Sequence, residues 1–415
     1  MAVGCSPSYE DIENETPTIR IINNAEELSK RISVVNKPVK LIYPDTSAKV
    51  RSAQEQNEPW VLLADVETPT VSGQKLSATQ VQIVGTNVYV SYHKRGSDHL
   101  GAVEVFDVSD LLNPQIISRI EFLDADVISI TVDEAGGVEK LWVSLSDRTH
   151  GAVLRQIDLL GNGAFSNAVE DVVISESLSG STETPASANS VIHSDRFLYV
   201  TAGKRNGGTF RFDASTLELI DAQEYENAKY VATNGVDIVS LAAGNNSELR
   251  VFPASGNAKT LNIGSITHQG VGADSLMGKT MIHFAEAFPN IAFVAMGQFG
   301  VKGYDITADN NSILTEQFVS PPGMLSFGNS NGLASDGEFL YLANGADGLS
   351  VAHIPENSSG ELDILYTFDL ADETGASVNH VSATVAGNFV FVAKGLEGGL
   401  KILQKTVLPP LPPVF

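Results

Sequence analysis

From residue 76 onward, apolar and polar residues alternate in short runs broken by Gly, Asn, Asp and Ser. That is the two-residue period of half-buried strands, and the helical period of 3.6 is nearly absent. One strand pattern recurs seven times: apolar, aromatic, apolar, small. It is found at Val88-Tyr89-Val90-Ser91, Leu141-Trp142-Val143-Ser144, Leu198-Tyr199-Val200-Thr201, Ala292-Phe293-Val294-Ala295, Leu340-Tyr341-Leu342-Ala343 and Val390-Phe391-Val392-Ala393. The fourth copy is read at Asp237-Ile238-Val239-Ser240, with Ile238 in the aromatic place. The copies lie roughly 50 residues apart, a period typical of stacked repeat units.

Each unit has the same internal order. Turn formers precede the aromatic strand, at Gly85-Thr86-Asn87, Ser194-Asp195-Arg196, Asn234-Gly235, Ser335-Asp336-Gly337 and Gly387-Asn388. These residues tolerate positive φ and close tight hairpins. A Gly-rich loop usually follows, then a third strand that often ends on an aspartate, as at Asp107, Asp158, Asp213 and Asp305. We read those aspartates as turn makers rather than a carboxylate site. Strand, turn, strand, loop, strand, turn, strand describes a four-stranded antiparallel blade. A lone blade cannot bury both faces, so blades stack around an axis. The expected fold is all-β: a seven-bladed β-propeller of four-stranded antiparallel blades, with aromatics packed between neighbours. The last unit shows three clear strands before Lys405, and Trp60-Val61-Leu62-Leu63-Ala64-Asp65-Val66 precedes the first. That N-terminal strand is expected to close the last blade and so remove an open edge.

Three segments follow. Residues 1–57 read as a tether and an extended arm, with one or two helical turns over 25–32; residues 58–406 as the propeller; residues 407–415 as a proline-rich tail. No apolar run reaches the length of a membrane helix. The 26 Lys and Arg stand against 50 Asp and Glu, a net charge of −24. Affinity for a polyanion comes largely from basic contacts to phosphate, so this balance argues against nucleic acid as a partner. The single cysteine, Cys5, leaves no intramolecular disulfide and no cysteine zinc site.

Cys5 follows Met1-Ala2-Val3-Gly4 and precedes the polar Ser6-Pro7-Ser8-Tyr9-Glu10-Asp11. This resembles the cleavage box of bacterial lipoproteins, in which the cysteine becomes the first residue and carries the acyl chains. A charged and an apolar stretch belong before such a box, so a longer precursor is expected. Residues 59–123 resemble the LVIVD-repeat propeller lipoproteins of Bacteroidetes-type bacteria. The resemblance is carried by Trp60–Val66, Leu76-Ser77-Ala78-Thr79-Gln80-Val81, Asn87-Val88-Tyr89-Val90-Ser91-Tyr92, and Gly101 to Asp110 with Asn113-Pro114. It loosens afterwards, and the fourth unit departs most, with Ile238 for the aromatic and Pro253 for the aspartate. The resemblance implies a propeller at the cell envelope, an outer-membrane lipoprotein facing the periplasm or the surface. Contact with the membrane would be through the lipid anchor alone. It carries over no reaction, catalytic residue or cofactor.

The residues themselves offer no catalytic or metal motif. The eight histidines form no HExxH pair. Gly328-Asn329-Ser330-Asn331-Gly332 fits G-x-S-x-G, but a strand pattern follows where a nucleophile elbow needs a helix. In a propeller, the loops between second and third strands share one face with the entries to the innermost strands. That face collects Arg95, Arg148, Lys204 and Arg205 on loops, and Lys229, His283, Asn331 and His380 on strand entries. These are the candidate ligand-binding residues, and their charge suits an anionic small molecule or a saccharide. The favoured reading is a ligand- or partner-binding module acting at the channel mouth. One alternative is a scaffold subunit docked to an envelope protein partner. Another is a metal-assisted hydrolase of the lactonase type, built from His283, Asn331, Asn379 and His380.

Overall fold

The computed structural model describes residues 18–44, 60–174, 185–203, 207–254, 257–266, 279–320, 328–337, 339–355, 359–371, 377–383 and 388–406. Seven sheets of four or five strands, antiparallel but for one short parallel pair of Phe318–Val319 with Gly360–Glu361, stand in a ring, a seven-bladed β-propeller. The innermost strands are Ser77–Val84, Ala125–Ala135, Ala188–Ser194, Ala228–Thr233, Ile282–His283, Gly332–Ser335 and Val378–Ala383. Each contacts the next, and the seventh contacts the first. Tight hairpins join first to second strands, and positive φ at Gly85, Asp195, Gly235 and Gly337 accounts for the turn residues there.

The ring closes as expected. In the seventh blade, Trp60–Val66 pairs antiparallel with Leu400–Lys405, with Val66 opposite Leu400 and Trp60 opposite Lys405. Trp60 is buried, donates its indole N–H to Tyr366 Oη at 3.0 Å and packs edge-on against Phe368. The preceding arm continues along the rim. Ile19–Ile22 extends the first blade, Ile32–Pro38 lies outside Trp60–Val66, and Leu41–Ile42 extends the sixth blade. Between the first two runs, Ala25–Leu28 forms one α-turn capped by the Asn24 side chain, followed by a 3-10 turn over Ser29–Arg31. The arm also brings charge. Arg20 pairs with Glu121 and Arg31 with Glu104, carboxylates buried in the first blade, and Arg119 lies 3.2 Å from Glu121. Burial holds the Glu104 carboxyl above its ordinary range, with Arg31 and Arg119 opposing that shift.

Second-strand residues pack toward the following blade. Tyr89 sits in one cluster with Val127 and Ile130 of the second blade, Trp142 with Leu198 and Val200 of the third, and Phe391 with Val81 and Val90 of the first. Two positions differ from expectation. In the fourth blade Val231 pairs with Ser240 where the first blade pairs Val81 with Val90. The aromatic place therefore belongs to Val239, which is fully buried in the cluster shared with the fifth blade, and the expected alignment on Ile238 is one residue off. In the third blade Tyr199 is only half-buried, set against Phe197 with Arg211 over that ring.

Among the strand-ending aspartates, Asp107, Asp213 and Asp305 each accept from the backbone N–H two residues on, at 2.8 to 3.0 Å. These are Asx turns. Asp158 differs, accepting from the Gln156 amide, while the turn that follows is bonded by Asn162 to the Ala164 N–H.

Candidate functional site: the central channel

Four antiparallel strands leave one bare edge at the axis, where the backbone groups of each innermost strand have no strand partner. A one-residue bulge interrupts the innermost strand of five blades, between Ala78 and Gln80, Val127 and Ser129, Ala188 and Ser190, Ala228 and Tyr230, and Val378 and His380. A bulge bends the strand and re-aims the extra residue. The extra residues are Thr79, Ile128, Asn189, Lys229 and Asn379; Thr280 and Asn331 stand at the same place in the fifth and sixth blades. All seven line a cavity of about 320 Å³.

The bare edge is completed by side chains from the neighbouring blade. Gln80 accepts from the Ile130 N–H at 2.9 Å and donates to its carbonyl at 3.1 Å, and Gln82 does the same with Val132. His380 Nδ1 accepts from the Val81 N–H at 3.4 Å, and Met281 Sδ from the Leu333 N–H at 3.3 Å. Asn189, Asn331 and Asn379 donate to the carbonyls of Ala228, Val378 and Ala78, each at the start of the next innermost strand. The channel wall is thus a chain of side-chain rivets, each satisfying a backbone group that would otherwise be stranded.

Lys229 and Lys279 give the cavity its charge. Lys229 holds the fourth-blade bulge, the place filled by a rivet asparagine in the third, sixth and seventh blades. Lys279, from the fifth blade, reaches the first and donates to the Thr79 carbonyl at 2.9 Å. Burial lowers its pKa to about 7, with Lys229 adding repulsion. His380 is lowered to about 3 by burial, then by Lys279 and His283. Because its Nδ1 accepts, the neutral ring carries its proton on Nε2, a buried donor with no partner among the described residues. His93, also on the wall, falls to about 3 through burial, Lys279 and Arg95, and its Nδ1 is likewise buried without a partner among the described residues. No Asp or Glu stands among the described residues lining the cavity.

The sequence-predicted residues separate into groups. Lys229, Asn331 and His380 line the channel. His283 does not; its Nε2 meets Ser335 Oγ of the next blade at 2.8 Å, and burial lowers it to about 4. Arg95 and Arg148 are exposed on loops, while Lys204 and Arg205 lie outside the described residues. Around those loops Lys94 pairs with Glu397 at 3.2 Å, His99 with Asp126 at 3.3 Å and His150 with Asp147 at 3.1 Å. The loop face therefore mixes signs, and two further lysines, Lys229 and Lys279, line the channel itself. Ser330 is fully buried and donates to Asn344 Oδ1 at 2.7 Å, which makes it a structural hydroxyl. Sequence reasoning missed Lys279, His93, Tyr230 and Met281. Lys279 follows Lys229 by the repeat period, which is the signal that could have found it.

The architecture agrees with solved propellers. The WD40 repeats of RRP9 superpose with a TM-score of 0.56 at 10% identity, covering 82% of this chain and 98% of that one. The structure of U3-55K gives 0.55 at 11% identity, with coverage of 82% and 98%. A chain of the mitotic checkpoint complex gives 0.50 at 12% identity, with coverage of 98% and 100%. At such identities the likeness is one of fold. No family model matches the chain, and the comparison with curated proteins returns no match.

Proposed function

We propose that this chain is a binding propeller whose central channel holds a small ligand, and that Cys5 tethers it to a bacterial envelope. The observation that carries the channel reading is the cavity of about 320 Å³, walled by side chains from all seven blades. It is a concave site shared between blades, the usual setting of a small-molecule pocket, and its lining mixes apolar and polar side chains. The apolar members include Ile128, Tyr230 and Met281, and the polar ones the lysines and His380. The envelope tether rests on the residues around Cys5, which lie outside the described residues, and on the resemblance over residues 59–123. No helix among the described residues is long and apolar enough to cross a membrane.

The test is a thermal-shift screen of the chain lacking residues 1–15 against neutral and acidic oligosaccharides, small carboxylates and phosphates. A ligand at a hundred times its Kd adds about 2.7 kcal/mol to stability. A shift that weakens in Lys229→Met supports the channel. No shift with any class would move the function to an outer surface and a protein partner. The tether is tested separately by labelled fatty acid: incorporation lost in Cys5→Ser supports it, and none in the unaltered protein expressed in its own cells overturns it.

A further inference from the structure

We propose that the outer edge of the third blade is a docking site for an extended basic segment of another protein, added as a fifth strand beside Leu219–Glu224. The chain covers its other blade edges itself. The first, fifth, sixth and seventh blades each carry a fifth strand on the outside, supplied by Ile19–Ile22, Gly360–Glu361, Leu41–Ile42 and Ile32–Pro38. In the fourth, residues 312–314 bond Asn262 of the outer strand twice. The Asn262 N–H donates to the Ser312 carbonyl at 2.9 Å, and the Leu314 N–H donates to the Asn262 carbonyl at 2.8 Å. In the second, the arm's Asn23 donates to the Phe165 carbonyl at 3.2 Å. The third blade receives nothing of the kind. Among the described residues, Leu219–Glu224 pairs with Gly208–Asp213 on its inner side and has no strand on the other. Alternate residues of such a strand turn their N–H and C=O groups outward, a row that another strand can complete.

The side chains set the chemistry of the occupant. Ile220 is the extra residue of a bulge, between Leu219 opposite Phe212 and Asp221 opposite Arg211, and is 44% exposed. Around it Glu218, Asp221, Glu224 and Glu226 are exposed. Arg211 pairs with Asp221, but no basic side chain pairs with Glu218, Glu224 or Glu226 among the described residues. Opposite charges on neighbouring strands attract and like charges repel. Lys or Arg along an extended segment, with an apolar residue against Ile220, therefore complements this edge. A second copy of the edge would set acids against acids. Residues 1–17 and 175–184 fit no better, since their charged side chains are all acidic. The acids thus discourage self-pairing and leave the edge open to a partner of opposite charge. Main-chain bonds would give that partner its affinity, and side chains its selection. The site is separate from the channel and does not depend on it.

The experiment uses the full chain and three short fluorescent peptides: one alternating Lys and Val, one alternating Glu and Val, and a Lys–Val peptide with proline at its central valines. Proline removes the backbone donors and leaves the charge unchanged. Binding is read by fluorescence anisotropy and located by hydrogen exchange. The Lys–Val peptide should bind, the proline version at least tenfold more weakly, and the Glu–Val peptide not at all. Amide exchange over Leu219–Glu224 should slow at least fivefold on binding, with the covered edges unchanged. Glu224→Lys combined with Glu226→Lys alters two exposed side chains, so it should weaken the Lys–Val peptide at least tenfold and leave the melting temperature in place. Failure of the Lys–Val peptide to bind would overturn the proposal. Equal binding of the proline version would reduce the contact to charge attraction without strand pairing and overturn it too, as would slowed exchange confined to another blade. Self-association in sedimentation that Ile220→Lys abolishes would give the edge to a second copy instead. None of these outcomes touches the channel reading, which rests on different probes and on Lys229→Met.

Discussion

At the scale of single residues, the channel wall shows side chains substituting for backbone. Gln80 mimics one step of a strand ladder by bonding both the N–H and C=O of Ile130. Replacing it with leucine keeps the volume and strands both groups. Gln80→Leu should therefore cost about 2 kcal/mol in urea denaturation, the price of an unmet buried hydrogen bond. The histidines make a second prediction. His93, His283 and His380 are all depressed below the ordinary imidazole value, to about 3 to 4. A depressed folded pKa means stability that is present above about 6.5 and is lost as pH falls toward the folded values. Asp126, raised by burial to about 6, works in the opposite direction over a narrower span. The denaturation midpoint should fall between pH 7.5 and pH 4.5, and His283→Gln should flatten that fall. A midpoint independent of pH over this range would contradict the neutral histidines.

At the scale of elements, most strands were legible because alternation and turn residues agree in the same places. The fourth blade was not: Ile238-Val239-Ser240-Leu241 is apolar at both parities around its serine, so the sequence cannot tell which residue faces the next blade. Pairing with Val231 decides it, and a slip of one residue reverses every side chain. The bulges were illegible for a related reason. A bulge is defined by the partner strand, and nothing in Ala78-Thr79-Gln80 alone marks Thr79 as the extra residue. That is why Lys229 could be placed near the channel while Lys279, one register position earlier in its blade, was overlooked. The arm supplies the third prediction. Arg31 is the arm's contribution to a carboxylate that is fully buried. Breaking a buried pair from one side typically costs about 3–5 kcal/mol. Arg31→Met should show a loss of that order at pH 7 and a smaller one at pH 4.5, where Glu104, already raised, can take a proton. Adding Glu104→Gln to the same chain should recover most of the loss. Equal stability of the single and double variants at pH 7 would mean that the arm only covers the blade.

At the scale of the whole molecule, ring closure ties the ends together. Without residues 60–66, Leu400–Lys405 would present an unpaired outer edge, a ready template for another chain. A chain starting at residue 45 should keep the oligomeric state of the full chain, with a lowered midpoint. A chain starting at residue 67 should oligomerise or precipitate, seen by size-exclusion chromatography. Closure was legible because Lys405 ends a unit one strand short and Trp60–Val66 is one strand too many. The arm's path was not, since its short apolar runs carry no mark of which blade edge they meet.

That closure also sets a schedule for synthesis. Trp60–Val66 leaves the ribosome long before its partner does: roughly 330 residues lie between the two strands, which at ~5–20 residues per second is roughly 15 to 65 s of translation. Throughout that interval the strand carrying Trp60, Leu63 and Val66 has no blade to join, and six blades can collect around an axis that is still open. The chain would then be a client of whatever shields apolar segments in nascent proteins, and slower translation would lengthen its exposure rather than help it fold.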